Sequence, residues 1–202
     1  IYGFTLEEPA AVAAIWLGDR YVELCEIVCP LLEKMGNDSG ASVCVLPVDV
    51  WHVVTAVLYR FEDEREKVYS FFQSQVIPAL CKKIKDEIVC FWGDMKEGGQ
   101  LLEKLREIQQ VREWNLLYDR GKLIPISQIE KKESIPLKYP VELEQRVKRA
   151  VLASDGEDIK RCYYRVYDLL RRQPHSPADM KECLIRFNMA VINAYKTQNE
   201  IE

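Results

Sequence analysis

Histidine is scarce in this 202-residue chain, and the motifs of the common catalytic classes are missing. Only His52 and His175 occur, and neither has a metal-ligand spacing to another residue. The glycine-rich phosphate-binding and dinucleotide-binding motifs and the Gly-x-Ser-x-Gly nucleophile motif do not occur. The sequence therefore predicts no catalytic residues, no cofactor and no metal, and we expect the chain not to be an enzyme.

Positive charge and long apolar runs are also lacking. The chain has 28 Lys and Arg against 32 Asp and Glu, a formal net charge of −4. Since nucleic-acid affinity depends on clustered cations that neutralise phosphates, we expect DNA contact only through a domain outside this chain. No run approaches the roughly 20 apolar residues that cross a bilayer, and no signal peptide begins the chain. We expect a cytoplasmic segment without membrane contact. Because it begins at Ile1 rather than methionine, we expect it to belong to a longer protein.

Seven cysteines occur, but no Cys-x-x-Cys pair does. Cys25 and Cys29 are one helical turn apart, a spacing that could suit a metal. Free cysteine is among the most buried residue types, so core positions are the simpler interpretation for the whole set. An odd number of thiols in apolar segments fits a reducing cytoplasm.

The clearest positive pattern lies between residues 139 and 193, where apolar residues recur at helical spacing in three successive segments. Ser154 with Glu157 predicts a capping box at the start of the second helix, and Ser176 caps the third. Each helix has one apolar stripe, and the loops are short. We therefore predict an antiparallel three-helix bundle over residues 134–202.

Strand patterns dominate the region before the bundle. The segment Trp51–Tyr59 is β-branched, aromatic and apolar on both faces, which predicts a central strand. A second strand is predicted at Ile88–Trp92, ended by Gly93, and an edge strand at Lys122–Ile126, because its proline cannot donate to a ladder. Amphipathic helices separate the strands, and the long helix after the central strand contains Pro78, where we expect a kink. We predict a small α/β sandwich over residues 41–133, which makes the chain α+β.

The first 40 residues predict a pair of helices. Thr5 and Glu8 form a capping box at the start of the first helix, and the second extends from Tyr21 to Met35, with a bend or break at Pro30. This pair could belong to the α/β core or form the end of an upstream linker, and the sequence leaves both open.

Part of the chain resembles a known family. The run Tyr139–Glu144 and the turn 154–157 resemble the helical segment that precedes the DNA-binding domain in large AraC-type transcriptional regulators of Gram-positive bacteria. The segments Arg112–Tyr118 and Lys122–Ile126 resemble the central region of that family. The order of strands and helices before the bundle is similar to the degenerate diguanylate-cyclase-like, or GGDEF-like, domain in the middle of such regulators.

The resemblance implies a non-catalytic signalling region. Such a region couples an upstream input, a receiver or a membrane sensor, to a downstream DNA-binding domain by dimerisation or repacking, so we expect a homodimer. A working cyclase needs carboxylates at strand ends and a Gly-Gly-Asp/Glu-Glu-Phe-type hairpin. Here the nearest glycine pair is Gly98-Gly99, and Asp49 and Asp94 are the carboxylates near strand ends. A metal-dependent nucleotide cyclase is the less favoured alternative.

A second alternative is a module that binds a small-molecule effector, such as a sugar or nucleotide. Tryptophan and tyrosine can lie flat against a sugar or base and still form hydrogen bonds. The candidate ligand-binding residues are Trp51, His52, Trp92, Trp114 and Tyr118. Each also lies within an apolar segment, where the simpler interpretation is a core residue.

Overall fold

A mixed β-sheet followed by helices gives the chain the α+β architecture that the sequence predicts. The chain divides into two units, Ile1–Lys131 and Lys132–Glu202, two residues before the predicted boundary. The computed structural model describes residues 8–61, 64–86, 88–96, 100–118, 121–129 and 133–199. The predicted capping residue Thr5 and the glycine pair at 98–99 lie outside those ranges.

Five strands form the sheet of the first unit, in the order β2-β3-β1-β4-β5. All neighbouring strands are antiparallel except β4 and β5, which are parallel. The strands are β1 Ala10–Trp16, β2 Ser42–Val48, β3 Val53–Tyr59, β4 Val89–Met95 and β5 Lys122–Pro125. One helix lies between β1 and β2 in sequence and a helical segment lies between β3 and β4, so two βαβ units are interleaved.

The central strand β1 corrects the prediction that residues 1–40 form a helical pair. Ala10–Trp16 is alanine-rich, which favours a helix, yet it pairs along its whole length with both β3 and β4. Every residue of β1 except Trp16 is buried. Small apolar side chains on both faces suit a strand that is covered on both sides, and this tertiary pairing outweighs local helix propensity. Residues 8–40 are therefore part of the sheet domain.

The helix after β1 is confirmed, and its proline does not divide it. Helix α1 extends over Tyr21–Asp38 and continues through Pro30. Strand β2, which follows it, was not predicted. It lies at the sheet edge, where Pro47 is tolerated because an edge strand leaves some N–H groups unpaired.

The long helix predicted after the central strand contains a π-helical turn. It comprises α2 Arg65–Phe71, a π turn at Phe72–Val76 and α3 Ile77–Ile84. Pro78, where a kink was predicted, lies in the first turn of α3, after the π turn has ended. The π turn admits one extra residue into the helix.

Both faces of the sheet are buried. Ala11, Ala13 and Ile15 of β1 pack in a core with residues of α1, α2 and α3. Residues of the opposite parity pack with helices α4 Leu101–Val111 and α5 Ile126–Ile129. The sheet is therefore the middle layer of three.

The prediction that Gly93 ends β4 was wrong. This glycine instead allows a helix to approach the strand closely. The strand continues to Met95. A Cβ atom at Gly93 would lie 2.9 Å from Lys104 Cδ and 3.3 Å from Ile108 Cδ1, both on α4. A glycine inside a strand often marks such an approach. The edge position of β5 is confirmed.

The second unit contains three helices, α6 Val141–Leu152, α7 Gly156–Arg172 and α8 Pro177–Asn199. Helix α6 contacts both α7 and α8. Ser176 Oγ accepts from Asp179 N at 3.1 Å, so its predicted capping role is confirmed. For α7 the cap is Asp155, one residue after the predicted Ser154, and its side chain accepts from Asp158 N at 3.0 Å. Across the described part of the chain, no helix combines the length and apolar character needed to cross a bilayer.

Because α1 packs closely against β2 at Gly36, substitution of this glycine should destabilise the fold more than substitution of Gly156. A Cβ at Gly36 would lie 2.6 Å from Val43 Cγ2, whereas one at Gly156 would meet nothing within 4 Å. We expect Gly36→Ala to lower the free energy of unfolding by about 1–3 kcal/mol through overpacking. Gly156→Ala, the matched control, should leave it unchanged or raise it slightly. Urea unfolding followed by circular dichroism measures both, and an unchanged midpoint for Gly36→Ala would contradict the predicted contact.

Candidate functional site

The aromatic residues predicted to bind a ligand lie on both sides of the sheet. Trp92 packs in the core under α1, α2 and α3. Trp51, Trp114 and Tyr118 pack against the opposite core. The structure therefore does not bring the tryptophans together in one pocket.

The remaining candidate, His52, lies in the turn between β2 and β3. Its backbone is left-handed, with φ of 52°. Tyr21 stacks on its ring with centroids 5.5 Å apart, and the Tyr21 hydroxyl donates to Asp49 Oδ1 at 2.6 Å. Burial, together with the hydrogen bond to Asp49, raises the pKa of Tyr21 well above its usual range. Tyr21 thus fixes the turn to α1, a contact that sequence reasoning missed because 28 residues separate the pair.

Asp49 and Asp94, the carboxylates that the sequence placed near strand ends, lie at opposite ends of the sheet. The turn that holds Asp49 adjoins the pair Trp16 and Val53, whereas Asp94 pairs with Ala11. Five residues of β1 separate these levels, which is about 16 Å at 3.3 Å per residue. Two-metal sites hold their ions about 4 Å apart, so these carboxylates do not belong to one such site. Within the described ranges, no group of three or more His, Cys, Asp or Glu side chains could hold a metal ion.

The cysteines occupy several environments. Cys90, Cys162 and Cys183 are buried, as predicted. The prediction was wrong for Cys44, which is exposed on the edge strand, and Cys25, Cys29 and Cys81 are only half-buried. Burial raises the pKa of the Cys90 thiol, which keeps it protonated and unreactive.

Cys25 and Cys29 do lie side by side, with Sγ atoms 3.5 Å apart. Burial, followed by the hydrogen bond to Cys25, raises the pKa of Cys29 to about 12. Structural zinc sites have four protein ligands, and in the part of the chain that the structure describes these two thiols belong to no group of three or more possible ligands.

A pocket of about 210 Å³ lies where β4 and β5 end, beside the first turns of α2. Ligands of α/β sheets commonly bind at the carboxyl ends of parallel strands, and β4 and β5 form the parallel pair of this sheet. Its lining residues are Arg65, Glu66, Tyr69, Trp92, Asp94, Pro125, Ser127 and Gln128. Of the five predicted candidates, only Trp92 contributes to this pocket.

Asp94 organises the polar side of this pocket. Its Oδ1 accepts from Trp92 Nε1 at 3.0 Å, and its Oδ2 accepts from Arg65 Nη2 at 2.6 Å. The guanidinium is therefore already neutralised, and Glu66 adds a second carboxylate to the lining. The pocket consequently presents one cation against two anions, which disfavours phosphate groups.

The apolar wall of the pocket is held by specific contacts. The rings of Tyr69 and Trp92 meet edge to face, with centroids 5.4 Å apart. The Tyr69 hydroxyl donates to Leu123 O at 3.1 Å, and Gln73 Oε1 accepts from Leu123 N at 2.8 Å. These bonds tie the helix to β5, so the wall is preformed.

In the second unit, one glutamate links two helices. Glu144 of α6 accepts from Lys148 at 2.6 Å and lies 3.5 Å from Arg186 Nε of α8. The Arg186 guanidinium stacks 3.7 Å above the Tyr139 ring. Together these contacts join α6, α8 and the segment before α6.

Helix α8 has apolar residues on two opposite faces. Its inner face is buried and contains Met180, Cys183, Phe187, Ala190 and Ala194. Its other face, which we term the outer stripe, consists of Ile185, Met189, Ile192 and Tyr195, exposed by 64%, 49%, 46% and 54%. Spacings of four, three and three residues place these four side chains on one face. The sequence pattern indicated the inner face but not the outer stripe, because the residues of both faces recur at helical spacing.

The glutamate link predicts a pH-dependent contribution to stability. The hydrogen bond from Lys148 is the largest cause that holds the pKa of Glu144 below its ordinary value of 4.5. A lowered folded-state pKa stabilises the fold above pH 4.5, and this stabilisation is lost as pH falls through the folded-state pKa. We expect Glu144→Gln to cost roughly 1 kcal/mol at pH 7.

The difference in stability between Glu144→Gln and the wild-type chain should shrink below pH 4.5. Thermal unfolding of both proteins between pH 7 and pH 3 measures it. Glu157→Gln, which alters an exposed glutamate paired with Lys160, is the control and should show no such trend. A constant difference for Glu144→Gln at all pH values would contradict the charge-based explanation.

Comparisons of the chain with protein-family models, with curated proteins and with solved structures find no match.

Proposed function

We propose that this chain is a non-catalytic signal-sensing and relay region of an AraC-type transcription regulator. It couples an upstream input to a downstream DNA-binding domain through dimerisation or repacking of a three-helix bundle. The observation that carries the proposal is the outer stripe of α8, because a contiguous row of exposed apolar side chains marks an interaction surface.

The sheet domain supports the same proposal as a degenerate cyclase-like domain. The alternation on which the resemblance was based is present in the order β3, helix, β4, helix, β5. The turn between β2 and β3 carries Asp49, Val50, Trp51 and His52 and has no glycine to bring the backbone close to a substrate. Its carboxylate is about 16 Å along the sheet from the level of Asp94. Both features favour a regulatory role over nucleotide cyclisation.

Relay of a signal requires two arrangements of similar free energy and an input that favours one of them. Moving such an equilibrium from 1:99 to 99:1 takes about 5.5 kcal/mol of differential stabilisation. A dimer that buries the outer stripe in one arrangement and exposes it in the other would supply part of this difference. The inner face of α8 would keep each copy folded in both arrangements.

Self-association is the property to measure first. We expect sedimentation velocity to show a reversible monomer–dimer equilibrium when the chain is examined from micromolar to near-millimolar concentration. Burial of apolar surface from both copies drives the association. A mass that remained at one chain weight, 23.5 kDa, throughout the series would contradict relay by dimerisation.

The pocket beside α2 favours a second candidate function, the binding of a small effector. Its volume, about 210 Å³, is below the 300–1,000 Å³ of typical drug-sized sites. With Arg65 paired to Asp94 and Glu66 alongside, the lining suits a neutral, hydroxyl-rich molecule of monosaccharide size better than a nucleotide. Such an effector would be an input to the same relay.

This candidate predicts selective thermal stabilisation. A ligand at 100 times its dissociation constant stabilises the folded state by about 2.7 kcal/mol. We expect one or more monosaccharides to raise the melting temperature, and nucleotides and cyclic dinucleotides to have no effect. Gln128→Trp should fill the pocket and abolish the shift, whereas Gln110→Trp, an exposed position on α4, should preserve it. No shift with any sugar, or a shift that survives Gln128→Trp, would contradict this site.

A further inference from the structure

The register of the sheet shows which peptide groups of the edge strand β2 point away from it. Leu17 N donates to His52 O at 3.0 Å, one pair beyond the end of the β1–β3 ladder. Because peptide groups alternate between the two sides of a strand, the even-numbered residues of β3 point toward β1 and the odd-numbered ones toward β2. The partners of the latter are the even-numbered residues of β2. The odd-numbered residues, Val43, Val45 and Pro47, therefore point outward.

Val43 and Val45 present free backbone donors and acceptors on this outward edge. Pro47 has no N–H, and the N–H of Ala41, the preceding outward position, donates to Ser39 Oγ at 3.4 Å. With the residues that the structure describes, Val43 and Val45 form no hydrogen bond on this side. Apart from its proline, β2 lacks the charged side chains and bulges that usually protect a sheet edge. The edge is therefore open to another strand.

The side of α1 that adjoins this edge is acidic. Its position is marked by Gly36, where a Cβ atom would lie 2.6 Å from Val43 Cγ2 of β2. Glu33 lies three residues before this glycine, and Glu26 lies seven residues before Glu33. Such spacings place both glutamates on the same side of the helix as the glycine. Both side chains are exposed, so they can reach a strand that adds to β2.

The other charged groups around the edge do not offset these carboxylates. Asp38 and Asp49, which lie before and after β2, add negative charge at its two ends. Lys34 lies on the far side of α1, since two residues correspond to about 200° of rotation from the contact with β2. Arg20 and Arg60 are each paired with a glutamate, at 3.0 Å and 3.4 Å. The edge thus favours a cationic partner.

We propose that the outward edge of β2 pairs with an extended, positively charged segment of another protein. The N–H and C=O groups of Val43 and Val45 bond to the main chain of this segment, as in other cases of strand addition. The side chains of Val43 and Val45 pack against the core under α1, and directly opposed residues of neighbouring strands share a face. The segment residues opposite them therefore lie on the side of Glu26 and Glu33, where lysine or arginine at alternate positions forms opposite-charge pairs.

A second copy of β2 suits the edge less well than a cationic segment. Antiparallel pairing of two copies would bring the acidic side of each α1 toward the other. Glu26 and Glu33 would then face like charges, which disfavours that partner.

Hydrogen exchange of the β2 amides tests whether the edge is free in the full 202-residue chain. We expect the outward amides of Val43 and Val45 to exchange with solvent quickly. The amides of Cys44 and Leu46 donate to β3 and should exchange slowly. NMR spectroscopy of the isotope-labelled chain measures these rates. Slow exchange at Val43 and Val45 at every protein concentration would contradict a free edge.

A cationic strand-forming peptide tests the partner. The probe is acetyl-Lys-Val-Lys-Val-Lys-amide, added to about 5 mM because a contact of a few backbone hydrogen bonds is weak. We expect it to shift the amide resonances of Val43 and Val45 and to slow their exchange. The uncharged acetyl-Thr-Val-Thr-Val-Thr-amide should bind about tenfold more weakly. A lysine peptide that leaves both resonances unchanged would overturn the proposal.

Val45→Pro removes one outward donor and leaves the donors to β3 in place. Proline is already accommodated at an equivalent outward position, Pro47. We expect the variant to keep the circular dichroism spectrum of the wild-type chain and to bind the lysine peptide about tenfold more weakly. Binding that survives this substitution would place the peptide elsewhere and overturn the β2 edge as its site.

Charge reversal on α1 tests the complementarity without altering the strand. Glu26→Lys/Glu33→Lys should weaken binding of the lysine peptide by about tenfold. The matched control is Glu103→Lys/Glu142→Lys, which makes the same change in net charge at exposed positions on α4 and α6. This control should bind as the wild-type chain does. Equal weakening by both double variants would show that only net charge matters and would overturn the assigned partner chemistry.

The same measurements distinguish the other occupant of the edge. Protection of the Val43 and Val45 amides that rises with protein concentration, in the absence of peptide, would show that a second copy covers β2 and would overturn the cationic partner. Failure of this inference leaves the proposed relay function standing, because that function is carried by the outer stripe of α8.

Discussion

The double-sided pairing of β1 is the constraint on which the sheet domain depends. Its seven residues pair in register with β3 on one side and with β4 on the other, and helices cover both of its faces. A strand enclosed in this way must be apolar on both faces and small enough to admit two helical layers. Alanine at four of the seven positions meets this requirement. The positions of the turn at Asp49 and of the pocket at Asp94 follow from this register, since they adjoin opposite ends of the same strand.

The sequence predicted those elements whose signals are local. The helices of the second unit have start signals within a few residues of their first turns, and the cap at Ser176 formed as expected. Cross-chain features were not predictable in the same way. The alanine-rich sequence of β1 predicts a helix, because alanine has a high helix propensity. Its strand conformation depends on pairing with residues 53–59 and 89–95, which lie far away in sequence. The ion pair between Arg65 and Asp94 joins residues 29 positions apart, and no sequence spacing indicates it.

The two units present different kinds of surface. In the sheet domain, the Asp94 carboxylate of the pocket already accepts hydrogen bonds from Trp92 and Arg65. In the second unit, the outer stripe of α8 leaves apolar side chains in contact with water, and only a partner can cover them. A ligand in the pocket would compete with these internal hydrogen bonds, whereas burial of the outer stripe would gain free energy from dehydration of its apolar side chains.

The π turn at Phe72–Val76 lets the helix between β3 and β4 hold one more residue than a regular helix of the same span. Each α-helical residue turns the helix by about 100°. In a regular helix, one added residue would therefore turn Arg65 and Tyr69 of α2 away from Trp92 by about a quarter of a turn relative to α3. The π turn confines the extra residue to one wider turn, so α2 keeps its pocket side chains beside Trp92 while α3 keeps its apolar face in the core.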